Sequence, residues 1–161
     1  MISLLSKNLH RILFLFAVIG SSVYIETFKI SLGQYANFQL ILIFLFRLIS
    51  KENFKSLWFL MTMSIFNDVL NGLLFGTSAI LYLIIHSFAS FQASIKLRSV
   101  FISEWIAFSV SLLVAYIFLF GLNYLANQNY SFSLIGINFI LTVLAYPVAW
   151  IIIGKLFYKN A

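Results

Sequence analysis

The stretch Ser64-Ile65-Phe66-Asn67-Asp68-Val69-Leu70-Asn71-Gly72-Leu73-Leu74-Phe75-Gly76 decides how the rest of the chain reads. It carries Asp68, the only aspartate of the sequence, inside an otherwise apolar segment. A carboxyl at membrane depth costs roughly 2.5–3.5 kcal/mol on insertion scales, so it turns toward protein and takes a partner. Ser64, Asn67, Asp68 and Asn71 follow one another at i, i+3, i+4 and i+7, which puts all four on one face of a helix. Gly72 and Gly76 then close the stripe, and with no charge between Asn71 and Thr77 the chain turns in a tight helical hairpin.

Outward from this stretch the chain stays apolar. Of 161 residues, 63% are hydrophobic, 19% aromatic and 9% charged, against about 25% charged in an ordinary soluble domain. The apolar residues form long runs with short polar breaks, each run near the ~20 residues that cross a ~30 Å hydrocarbon core. The expected fold is an all-α membrane protein, a six-helix bundle forming a single domain over residues 1–161. The expected spans are residues 9–30, 35–49, 57–75, 77–95, 100–123 and 132–156. Ile12–Ile25 resembles the apolar core of a signal peptide, but it runs on to a Glu26/Lys29 pair and reads as an uncleaved first span. Pro147, the only proline, kinks the last span, a feature that neighbouring helices in a bundle tolerate.

The net charge of +6 does not indicate nucleic acid, because the basic residues are dispersed among the ends of the apolar runs. With six spans, Lys7, Arg11, Arg47, Lys51, Lys55, Lys96, Arg98, Lys155 and Lys159 fall on one side and Lys29 alone on the other. Positive charge gathers on the cytoplasmic side, so both termini are expected there. Arg47 is expected to snorkel from the end of its span. Trp58, Trp105, Tyr124, Tyr130 and Tyr158 lie near span ends and read as interface anchors, whereas Trp150 packs or faces lipid.

No cysteine is present, which removes disulfides and thiolate chemistry. No phosphate loop, zinc-ligand spacing or nucleophile–base pair occurs, and an aspartyl protease needs two aspartates where this chain has one. No catalytic residue, metal or cofactor is expected. Asp68 then reads either as a contact for a partner or ligand, or as a structural acid between helices. His86 is its candidate partner across the hairpin: counted from Gly76, the two lie ~12 and ~15 Å deep at about 1.5 Å per residue. Small-to-polar stripes on the neighbouring spans (Ala79, Leu83, His86, Ser90 and Ala93; Asn138, Thr142, Ala145 and Ala149) are expected to meet the Asp68 face.

Two motifs carry a resemblance to a known family. Asp68-x-x-x-Gly72-x-x-x-Gly76 closes the third span, and Tyr146-Pro147-Val148-Ala149-Trp150 lies in a last span that ends in lysines. Together with the length and span count, these make the whole chain resemble MreD, the rod shape-determining membrane protein of bacteria. The chain departs from the family pattern at Met63-Ser64-Ile65, where a glycine is usual, and at Leu73-Leu74, where a proline is common. The resemblance implies a fold similar to the membrane substrate-binding subunits of energy-coupling-factor transporters. It also implies a place in the cell-elongation complex that builds lateral peptidoglycan, beside MreC, MreB, RodA and a penicillin-binding transpeptidase. The expected role is a non-enzymatic scaffold in the bacterial inner membrane that binds MreC. The competing expectation is the substrate-binding subunit of a vitamin-type importer, with Asn67, Asp68 and Asn71 contacting the ligand.

Overall fold

The computed structural model describes residues 36–49, 54–70, 73–95, 100–125 and 132–157, which are helical apart from residues 36–37, 73–76 and 95. Five helices follow in order: α1 Phe38–Ile49, α2 Phe54–Leu70, α3 Thr77–Ser94, α4 Val100–Leu125 and α5 Phe132–Phe157. They overlap the runs expected as the second to sixth spans, with one shift that matters below: α2 is helical through Leu70, and residues 73–76 lie in a turn and not in the helix. The expected first span, residues 9–30, lies outside the described residues, as do Asn71 and Gly72. Two helices, over Phe101–Leu122 and Ser133–Ile153, are long and apolar enough to cross a membrane. α1 and α2 contribute only shorter apolar stretches, Phe38–Leu48 and Leu57–Leu70.

The shortest of the described helices, α1, sits at their centre. α1 packs against α3, α4 and α5, while α2 packs chiefly on α3, and α4 lies between α3 and α5. Leu40, Ile41, Ile43, Phe44 and Leu45 of α1 are almost fully buried, on more sides than one amphipathic stripe accounts for, as in a helix enclosed by others. Phe44, Phe108 and Tyr146 join α1, α4 and α5 in one aromatic cluster. Phe44 meets Phe108 edge-on at 5.3 Å, and Phe108 stacks on Tyr146 at 4.7 Å. Ala89, Ala115 and Ala149 are buried in the same core, where small side chains let helix backbones approach closely.

α5 runs unbroken through Pro147. Proline has no N–H, so the carbonyl four residues earlier, that of Val143, loses its helical donor. The indole Nε1 of Trp105 on α4 donates to that carbonyl at 3.0 Å. One turn beyond the proline, Trp150 Nε1 donates to Glu104 Oε2 at 2.8 Å. Glu104 and Trp105, adjacent on α4, therefore clamp α5 on either side of Pro147. The expectation that Trp105 anchors at an interface is corrected: its polar atom points inward, toward a backbone group that proline exposes.

Polar and apolar side chains are sorted inside out. Gln39, Arg47, Ser64, Asn67, Asp68, His86 and Glu104 are buried. Outward from α2 point Trp58, Ile65, Phe66 and Val69, each more than half exposed, and α4 and α5 expose Ile106, Ile117, Phe118, Ile140 and Val148.

Candidate functional site

The end of α2, the following turn and the start of α3 form the polar centre of the molecule. Leu60, Ser64, Asn67 and Asp68 are buried along one face of α2, at the helical spacing that the sequence shows. Leu73 N–H donates to the Asp68 carbonyl at 2.9 Å, which closes the C-terminal end of α2. Gly76 then takes φ 92°, the left-handed region, as the N-terminal flanking residue of α3, and its lack of a side chain leaves α3 without a local cap.

Asp68 supplies the missing acceptor from the preceding helix. Gly76 N–H donates to Asp68 Oδ2 at 2.7 Å and Ser78 N–H donates to Asp68 Oδ1 at 3.0 Å. A helix start leaves its first four N–H groups without intrahelical acceptors and carries a partial positive charge there. The one aspartate of the chain meets both needs, with both carboxyl oxygens engaged.

Asn67 extends the contact in the other direction. Its Nδ2 donates to Ser78 Oγ at 2.7 Å, and its Oδ1 accepts from Gln39 Nε2 at 3.1 Å. Tyr82 Oη donates to Gln39 Oε1 at 2.9 Å. Asp68, Ser78, Asn67, Gln39 and Tyr82 thus form one buried chain of bonds across α1, α2 and α3. Ser64, next along the stripe, bonds its own helix, donating to the Met61 carbonyl at 2.7 Å.

The expected Asp68–His86 pair does not form. The Asp68 carboxyl is held at Ser78, and His86 lies eight residues further along α3, about 12 Å at the helical rise of ~1.5 Å per residue. His86 is buried within electrostatic reach of Arg47 instead. Arg47 does not snorkel: it is 7% exposed, and its Nε donates to Ser90 Oγ at 2.7 Å. The expected α3 stripe is rotated as well, since Ala93 is exposed while Ser78, Tyr82, Ile85, His86 and Ala89 make the buried face.

A second polar path ties the start of α1 to α5. Asn37 N–H donates to Thr142 Oγ1 at 2.8 Å, and Thr142 Oγ1 donates to the Asn138 carbonyl at 2.7 Å. Tyr116 Oη donates to Asn138 Oδ1, which joins α4. The expected inward face of the last span, Asn138, Thr142, Ala145 and Ala149, is where α5 makes these contacts. Beside it, Leu113, Tyr116, Ile117, Phe120, Ile135, Gly136 and Phe139 line an apolar groove of about 230 Å³ between α4 and α5.

Sequence reasoning missed Gln39, which bridges two helices; its signal was an amide standing alone in the run Phe38–Phe46. Among the described residues, no group of three or more His, Cys, Asp or Glu gathers at metal-binding distance. No protein family, no curated protein and no solved structure matches the chain.

Proposed function

We propose that the chain is a non-enzymatic, multi-pass scaffold of the bacterial inner membrane. It belongs to the cell-elongation complex and holds MreC through helix–helix contacts. Membrane residence is supported by the inside-out sorting of side chains. Only 28% of the apolar stretch in α4 and 17% of that in α5 is buried, which favours lipid-facing helices over the enclosed core helices of a water-soluble fold. Lipid is the environment in which exposed isoleucine and phenylalanine along ~30 Å of helix cost nothing. The expected cytoplasmic placement of both termini rests on the charge asymmetry of the sequence.

One observation carries the scaffold role: both oxygens of Asp68 are spent on the α3 start, and Asn67 is spent on Ser78 and Gln39. Asp68 is also 1% exposed, which leaves its carboxyl no open face toward a ligand. Here the polar groups hold three helices in a fixed arrangement and leave the outer helix faces apolar. That suits recognition of another membrane helix, and the resemblance of Asp68-x-x-x-Gly72-x-x-x-Gly76 and Tyr146–Trp150 to MreD names MreC as the partner.

The deciding experiment is depletion of the protein in its host together with affinity purification from detergent-solubilised membranes. Rounding of rod-shaped cells and recovery of MreC are the expected results. Normal cell shape, with tight binding of a vitamin-sized ligand by the purified protein, would replace the scaffold with an importer subunit.

A further inference from the structure

Glu104 is one of four acidic residues in the chain and is 8% exposed. Its Oε2 accepts from Trp150 Nε1 at 2.8 Å. Its Oε1 has no donor and the carboxyl no cationic partner among the described residues, yet Oε1 keeps an open edge at the surface. Asp68, by contrast, spends both oxygens inside the fold. An acid on an apolar membrane helix is costly unless paired. Oε1 therefore marks an unmet need for a donor and a counter-charge.

The place of that oxygen narrows what can meet the need. Glu104 stands three residues beyond Phe101, where the apolar stretch of α4 begins, about 4.5 Å at the helical rise of ~1.5 Å per residue. Helical side chains tilt toward the N-terminus, here toward that boundary, so the carboxyl reaches back to the headgroup level. On either flank Ile102 and Ile106 are more than half exposed, which gives lipid access to this side of α4.

The surroundings are aromatic. The Trp150 ring meets Phe101 at 5.0 Å, and Phe101 stacks on Trp105 at 6.1 Å. Both indole N–H groups are already spent, on Glu104 and on the Val143 carbonyl, so neither can supply Oε1. Aromatic faces attract cations, and a carboxylate oxygen takes its strongest bonds from charged donors. A primary ammonium satisfies both. A quaternary ammonium brings charge without an N–H, and a glycerol headgroup brings O–H donors on an anionic lipid that the carboxylate repels.

We propose that Glu104, with Phe101, Trp105 and Trp150, forms a headgroup site for a primary-amine lipid, phosphatidylethanolamine, whose ammonium donates to Glu104 Oε1. The lipid completes the bonding of the α4–α5 seam at the end of the bundle where α3 stops, fixed there by the 2.6 Å bond from Gln92 Nε2 to Ser103 Oγ. The inference rests on membrane residence and is independent of the protein partner named above.

Wild type and Glu104→Gln are purified in detergent and mixed with equal amounts of phosphatidylethanolamine, phosphatidylcholine and phosphatidylglycerol of the same acyl chains. Bound lipid is then counted by native mass spectrometry. Glutamine keeps an oxygen for Trp150 and removes the charge, so the clamp beside Pro147 survives. Wild type is expected to retain phosphatidylethanolamine severalfold over phosphatidylcholine, and Glu104→Gln to lose that preference while holding the other lipids as before. Equal retention of the two by wild type overturns the site, whatever the variant does, and leaves the acid to a basic side chain of another protein. A preference that persists in Glu104→Gln overturns the assignment to Glu104. Retention of no lipid by wild type removes the membrane reading itself.

Discussion

Replacing Trp105 by Phe tests whether its indole serves the carbonyl that Pro147 exposes. The contact is a single bond of 3.0 Å from Nε1 to the Val143 carbonyl. Interhelical polar contacts in membrane bundles average ~0.6 kcal/mol and reach ~1.7, and a carbonyl with no helical donor sits toward the upper end. Trp105→Phe should therefore cost about 1 kcal/mol from this bond, plus a term for the smaller ring. The ring term cancels when the same change is made in a Pro147→Ala background, where the N–H of residue 147 satisfies Val143 from within α5. The two changes should couple by at least ~0.6 kcal/mol, the cost of Trp105→Phe being smaller once proline is gone. Reversible unfolding of the four proteins in mixed micelles, followed by circular dichroism, measures the cycle. Equal costs in the two backgrounds, within the ~0.3–0.5 kcal/mol expected of independent sites, would refute the clamp.

Three further outcomes follow from the polar centre. Asp68→Ala should destabilise by about 1–2 kcal/mol and Asp68→Asn by less, since a single amide oxygen keeps one of the two N–H bonds; a thermal-shift series in detergent ranks them, and an equal loss for both would deny the two-oxygen cap. Gly76→Ala should cost about 1–2 kcal/mol from the left-handed backbone alone, because nothing stands within 4 Å of the added Cβ; a neutral result would mean that the turn relaxes. Gln39→Ala should exceed Tyr82→Phe in unfolding free energy, since the first removes bonds to both Asn67 and Tyr82 and the second only one.

The helical spacing of Ser64, Asn67 and Asp68 already marked the face that α2 buries, because a 3.6-residue period needs no tertiary information. The same reasoning placed Asp68 too deep. It carried the third span to residue 75, whereas residues 73–76 already form the turn, and Leu73 N–H bonds back to the Asp68 carbonyl. So close to its helix end, the carboxyl meets the next helix at its first turn and not at His86. The roles of Gln39, Trp105 and Glu104 were not legible, since each depends on which helix lies opposite. Bonds between residues 28 to 105 positions apart leave no periodic trace. Pro147 was visible as a disturbance in α5, but the residue that answers it stands on another helix.

The central position of α1 bears on how the protein is made. Its twelve residues reach about 18 Å at ~1.5 Å per residue, well short of a bilayer. Its amide anchor at Asn37 waits for Thr142, which is synthesised 105 residues later. During biogenesis α1 meets α2 and α3 through Gln39 and Arg47 before α5 is made, and α5 is the last of its partners to arrive. A chain truncated before α5 should keep α1 packed on α3 and lose the Asn37 tie to Thr142 and the Tyr146 side of the aromatic cluster.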